Sequence, residues 1–218
     1  MKIGSITSTT DRILSAAEWL FAEHGYDRAS LRKVTQLAKV NLAAVNYHYG
    51  DKESLYLAVV RRRMEPINHA RLAKLNRAEE KAGDKPVPLA LIMEIMARPL
   101  FELCDGADGR GPSMVRIIGR SMAEPLPFMD DVVARHFQPT MTRFGQAVRR
   151  HVPALSPEDF LWRLSFVVGA MYHTLATMHR MNELTRGICR NNDLEGALRR
   201  FIQFGVDTFT GAGTRPLE

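Results

Sequence analysis

Ser30-Leu31-Arg32-Lys33-Val34-Thr35-Gln36-Leu37-Ala38, then Lys39-Val40-Asn41, then Leu42-Ala43-Ala44-Val45-Asn46-Tyr47-His48-Tyr49 and Gly50-Asp51-Lys52, is the stretch on which the fold turns. Leu31, Val34, Leu37 and Ala38 recur at helical spacing, while Arg32, Lys33, Thr35 and Gln36 fall on the other side. Ser30 stands where an N-cap belongs, its hydroxyl placed to accept a backbone N–H of the first turn. The period breaks near Lys39. Val40 reads as an apolar plug between two steeply crossing helices, and Asn41 as the N-cap of the second. On that second helix only Val45 and Tyr49, four apart, need to face inward. Two short helices joined in this way form a helix-turn-helix, whose second helix lies in the DNA major groove.

At these residues the chain resembles the tetracycline-repressor (TetR) family of bacterial transcription regulators. The resemblance rests on Phe21-Ala22-Glu23-His24-Gly25-Tyr26, on Ser30-Leu31-Arg32-Lys33-Val34, and on Val45-Asn46-Tyr47-His48-Tyr49-Gly50-Asp51-Lys52-Glu53-Ser54-Leu55. It implies a dimer on palindromic operator DNA, with a small-molecule effector bound in a second domain. Two positions depart from the family pattern. Lys39 stands where the turn usually carries Gly, which implies a non-glycine residue with positive φ and some strain. Asn46 replaces a usual aromatic, which leaves the role of that position open.

The candidate DNA contacts are Ser30, Arg32, Lys33, Asn41, Leu42, Ala43, Ala44, Asn46, Tyr47, His48 and Lys52. Arg32 has the guanidinium that pairs bidentately with guanine, and Leu42, Ala43 and Ala44 are small or apolar enough to approach thymine methyls. Tyr47, His48 and Lys52 suit phosphates, Lys52 standing near a helix N-terminus that also favours an anion. The bland alternative is a solvated face of a small helical bundle.

Charge agrees with the first reading. The chain has 218 residues with 30 basic and 24 acidic side chains, a formal charge of +6. Residues 1–63 contain ten of the basic and six of the acidic ones, so +4 falls there and +2 on the remaining 155 residues. Positive charge is concentrated where phosphates would be met. The two cysteines, Cys104 and Cys189, lack metal-ligand spacing, which argues against a zinc site or a disulfide framework and makes a reduced cytoplasm the simplest setting. No apolar run reaches the length of a signal peptide core or a membrane span.

No segment alternates with period two for long enough to be a strand, so the fold class is all-α. Residues 1–51 are assigned to a DNA-binding head and residues 52–218 to a body that binds ligand and dimerises. Residues 1–8 read as a mobile arm. Thr9 or Thr10 caps a first helix whose inward stripe is Ile13, Ala17, Leu20, Phe21 and His24, with Gly25 as C-cap. Trp19 lies off that stripe and is expected to pack against the body. Asp51 caps a helix kinked at Pro66, and further bends are expected at Pro99 and Pro139. Cys104–Pro112 is a polar loop, and a short helix follows from Ser113. Ser156-Pro157-Glu158-Asp159 is a strong helix start reaching to about Asn182, and Asp193 caps the last helix.

The candidate walls of a ligand pocket in the body are Met96, Phe101, Met114, Arg116, Ile117, Arg120, Phe137, Met141, Phe144, Trp162, Phe166 and Tyr172. Arg116, set among Met114, Val115, Ile117 and Ile118, either pairs with an acid or awaits an anionic ligand. Phe160-Leu161-Trp162-Arg163 and Gly169-Ala170 also resemble TetR regulators that respond to fatty acids or their coenzyme A esters. The candidate dimer contacts are Ser165, Gly169, Ala170 and His173 on one long helix and Leu198, Phe201, Ile202 and Gly205 on the last. Core packing within one chain would produce the same pattern. His173 and His179, six apart, lie on different faces, and no nucleophile elbow, phosphate loop or dinucleotide fingerprint is present. No cofactor is expected. The sequence therefore points to a one-component repressor whose partners are operator DNA, a second copy and an unidentified lipophilic or amphipathic effector. A helical ligand-binding protein or an all-α enzyme is the alternative.

Overall fold

The computed structural model describes residues 8–105, 113, 115–117, 119–120, 126, 128, 130, 133–190 and 193–211. The expected arm before Ser8, most of the polar loop and Met114 lie outside them. Every regular element among the described residues is helical: α1 Thr9–Arg28, α2 Leu31–Ala38, α3 Leu42–Tyr49, α4 Lys52–Ala82, α5 Leu89–Asp105, a π-turn Val133–Phe137, α6 Gln138–Arg149, α7 Pro157–Leu184 and α8 Leu194–Thr210.

Caps define the helices of the head. Ser8, rather than Thr9 or Thr10, starts α1, its Oγ accepting the Asp11 N–H at 3.0 Å. Ser30 Oγ accepts from Lys33 at 3.3 Å, Asn41 Oδ1 from Ala44 at 2.7 Å and Asp51 Oδ1 from Ser54 at 2.7 Å. Each such bond satisfies an orphan donor and is worth about 1 kcal/mol. Gly25 has φ 75° and ψ 175°, which ends the regular part of α1 before a last turn to Arg28. Ile13, Ala17, Leu20 and Phe21 are buried with Val34, Ala38, Val45, Leu55 and Val59, closing a small core.

Two residues of the head differ from the expected stripes. His24 is exposed and meets the Trp19 ring edge-on at 5.8 Å. Leu37 is half exposed, because an eight-residue helix presents only a narrow inward strip, filled here by Val34 and Ala38.

One helix serves both halves. Residues Leu55, Tyr56 and Val59 of α4 pack into the head, and Arg71 and Leu75 lie in the body. Pro66 does not divide it: α4 is continuous from Lys52 to Ala82. Pro99 likewise sits inside α5. At Pro139 the expected interruption is displaced. The π-turn ends at Phe137, and Pro139 occupies the first turn of α6, where its missing N–H would have had no helical partner anyway. In the body α5 packs on α8, where a Cβ at Gly205 would come within 2.8 Å of Met93 Sδ, and Phe101 lies 6.2 Å from Phe201. Arg98 bridges Glu94 at 2.9 Å and Glu195 at 3.0 Å, fastening α5 to the start of α8.

Candidate functional site

The geometry of α3 is set from the turn before it. Lys39 adopts a left-handed conformation with φ 53° and ψ 51°, as its place in the turn required. For a residue with a Cβ this costs about 1–2 kcal/mol. The strain is held by Arg12 on α1, whose Nε and Nη2 donate to the Ala38 carbonyl at 3.0 and 2.8 Å while Nη2 also reaches the Lys39 carbonyl. Nothing in the spacing separates Arg12 from an ordinary solvated arginine, so its part was not legible.

Val45 is buried and Tyr49 half-buried, the Tyr49 hydroxyl donating to the Thr10 carbonyl at 3.4 Å. Those two fix which side of α3 faces out. Asn41, Leu42, Ala43, Asn46, Tyr47 and His48 are all exposed, and Ala44 is partly so. Tyr47 is 86% exposed and meets the His48 ring at 5.2 Å. Ser30, Arg32 and Lys33 are exposed at the start of α2. The surface is thus exposed, with Arg32 and Lys33 as its positive charges beside the small and aromatic side chains of α3.

Lys52 is differently placed. Its ammonium donates to the Asp27 carbonyl at 3.2 Å and lies 4.2 Å from the Tyr26 ring centre, tying the start of α4 to the end of α1. Burial lowers its pKa, with Asp27 opposing. Beside it the Asp51 carboxyl is held below the usual carboxylate range, first by the backbone N–H of Ser54.

The head meets the body through residues the sequence did not single out. Glu18 is buried at 2% exposure and takes the Arg63 Nε at 3.1–3.2 Å through both carboxylate oxygens, locking α1 to α4. Glu23 takes Arg116 at 2.7 Å, and its carbonyl accepts from Arg120 at 3.4 Å. Tyr26 meets the Phe128 ring at a tilt at 4.9 Å, and Tyr56 meets it edge-on at 5.6 Å. The expectation for Trp19 is overturned: it is 49% exposed, and Glu23 and Tyr26 make the contact instead. Of the two readings of Arg116, the acid pair is the one observed.

In the body Met96, Phe101, Ile117, Phe144 and Tyr172 are buried, and Phe137 and Met141 partly so. Trp162 and Phe166 are not pocket walls. They are 57% and 59% exposed and stack on one another at 5.8 Å on the outer side of α7. Helical spacing shows that two residues share a face but not whether that face is inner or outer. A crevice of about 370 Å³ is lined by Arg116, Gly119, Arg120, Gly169, Tyr172, His173 and Ala176. Arg71 was missed altogether. It is 1% exposed, its Nη1 donates to Asn68 Oδ1 at 3.3 Å, and the Tyr172 phenol is its electrostatic neighbour. Burial lowers the Arg71 pKa and raises that of Tyr172, each partner opposing the effect on the other.

The expected contacts between copies divide by helix. On α7, Ser165, Gly169 and His173 are exposed with Leu161, Trp162 and Phe166, and Ala170 is partly exposed. On α8 the expectation is corrected: Leu198, Phe201 and Gly205 are buried against α5 and Ile202 is half-buried, leaving Phe204, 45% exposed, as the outward aromatic. Among the described residues no group of His, Cys, Asp and Glu could hold a metal, and no helix is long and apolar enough to cross a membrane.

Residues 13–59 match the family described as bacterial regulatory proteins, tetR family, and residues 94–206 match the tetracyclin repressor-like C-terminal domain. The chain belongs to the TetR family. The TetR-type head is 40% identical over 55 residues to the HTH-type transcriptional repressor AcnR of Corynebacterium glutamicum, a stretch covering 25% of this chain and 29% of that repressor. The chain thus spans less than a third of the length of that relative. Among solved TetR-like folds, the fatty acid degradation regulator FadR from Bacillus halodurans superposes with a TM-score of 0.67 at 14% identity, covering 99% of this chain and 100% of that one. A transcriptional regulator (TerR/AcrR family) from Aquifex aeolicus gives 0.59 at 18%, covering 92% and 98%. At such identities the likeness is one of fold alone.

Proposed function

We propose that this TetR-family chain is a one-component transcriptional repressor that binds a palindromic operator as a dimer and is released by an amphipathic effector taken up in the body. The observation that carries the reading is α3. It is anchored by Val45 and Tyr49 and capped by Asn41, and it presents Leu42, Ala43, Asn46, Tyr47 and His48 to solvent beside Arg32 and Lys33. A face held so firmly yet without internal partners for its outward side chains fits the shape and charge of a major groove. The exposed aromatics of α7 with Phe204 of α8 are the surface proposed to meet a second copy, which would set the two copies of α3 one helical turn apart. Glu18–Arg63 and Glu23–Arg116 are the ties through which a change in the body would reach the head, so that effector and operator weaken each other equally.

Footprinting the purified protein on genomic DNA, followed by anisotropy titration of the recovered duplex, tests this. Tyr47→Ala is expected to weaken binding about 5- to 150-fold, given about 1–3 kcal/mol per well-placed contact. The thermal midpoint should stay put, because the side chain is solvent-exposed. Arg32→Ala should lower affinity and flatten its dependence on salt. Retained affinity in both variants would refute the assignment of this face.

A further inference from the structure

Arg71 is the largest fully buried side chain among the described residues, and its bonding is half complete. Nη1 is used by Asn68, whereas Nε and Nη2 have no hydrogen-bond partner among the described residues. Those two nitrogens are not scattered. They lie along one edge of the guanidinium, the edge that elsewhere in this chain grips a single acceptor, as Arg12 does with the Ala38 carbonyl. The same edge matches a carboxylate with two parallel hydrogen bonds.

Charge leads to the same place. A guanidinium stays protonated in a protein interior, and a buried cation needs an anion to offset the loss of water. No ion pair among the described residues includes Arg71; its neighbours there are the neutral Asn68 amide and the Tyr172 phenol. Buried donors in folded proteins are overwhelmingly satisfied, so an empty two-pronged edge on a fixed charge marks a place for a molecule that is not part of the chain. The crevice that Tyr172 lines also carries Arg120, beside the Arg116 already paired with Glu23, which gives an anion a basic approach to this part of the body. A phosphate monoester would bring close to two charges to one guanidinium. A carboxylate brings one, and its two coplanar oxygens fit the fork.

We propose that Arg71, with Asn68 and Tyr172 as supports, is the anchoring site for the carboxylate of the effector, so that the effector is an organic monocarboxylic acid. This rests on the reading of the chain as an effector-released regulator and adds the chemical class of the effector. In the free protein the bare guanidinium is a standing cost, and the acid removes it by pairing.

The experiment uses the full chain and three probes, sodium acetate, benzoate and octanoate, each against sodium chloride at equal ionic strength and against the matching primary alcohol. The wild-type thermal midpoint should rise with at least one carboxylate and not with its alcohol; no rise with any of them overturns the proposal. Arg71→Met should bind that carboxylate at least about tenfold more weakly, the loss of a charged hydrogen bond. Its ligand-free midpoint should equal or exceed that of the wild type, because the unpaired charge is gone. A clear fall would show that Arg71 is balanced within the protein and would likewise overturn it. Arg71→Lys keeps charge without the fork, and Tyr172→Phe keeps the ring without the hydroxyl; both should weaken the carboxylate while leaving the fold intact. On the footprinted duplex Arg71→Met should bind as the wild type does but not be released by the carboxylate. If the wild type binds no duplex, the regulator reading fails while the thermal results still decide the carboxylate site.

Discussion

The head and the body solve the problem of buried polarity in opposite ways. In the head and the part of α4 that packs on it, Glu18 meets Arg63, Arg12 takes the two carbonyls exposed by the turn, and each helix start carries a side-chain cap. In the body Arg71 keeps an unfilled edge, and Leu161, Trp162 and Phe166 stand in water. The head meets most of its buried polarity within one chain, a single Arg63 nitrogen excepted. The body leaves a guanidinium edge unpaired inside and an apolar surface bare outside, the two places where the proposed carboxylate and the proposed second copy would add what one chain lacks.

Breaking the completeness of the head should have the largest effect. Glu18→Ala leaves the mostly buried Arg63 without its carboxylate and is expected to cost about 3 kcal/mol or more in stability, read as a lower midpoint in urea. The incompleteness of the body is probed next. Trp162→Glu with Phe166→Glu should turn a dimer into a monomer in sedimentation at micromolar concentration, each aromatic contributing about 2 kcal/mol to association. Operator affinity should drop with it, and an unchanged dimer would place the contact elsewhere. The smallest effect sharpens the picture of the head. Lys39→Gly relieves the left-handed strain of about 1–2 kcal/mol but adds about 0.5–1 kcal/mol of unfolded-chain entropy, so stability should rise by about 0–1.5 kcal/mol. A fall would mean that Lys39 makes a favourable contact of its own.

What could be read from the sequence followed how local each cause is. Ser30, Asn41, Asp51, Ser156 and Asp193 were legible as caps because a cap acts within three residues, and the left-handed Lys39 followed from the family resemblance, in which Gly usually holds that place. Residues that act across the fold were not legible in the same way. Trp162 and Phe166 have the spacing of a core stripe, yet α7 turns them outward, while Leu198, Phe201 and Gly205 have the same spacing and are claimed by α5. Arg71 follows Asn68-His69-Ala70 on a helix rich in charge, and only the folded chain, with Tyr172 of α7 as its neighbour, reveals that it is buried. Glu18 and Glu23 were not singled out as ion-pair partners because Arg63 and Arg116 are 45 and 93 positions away.

The continuity of α4 governs how such a protein can be rebuilt. An engineer who wants to transplant this reading unit onto another sensor cannot cut at Asp51, where the sequence places the border, because Glu18 would lose Arg63 and Phe21 would lose Tyr56. The transferable module extends at least to Met64, and a graft made beyond that point carries its own foundation with it.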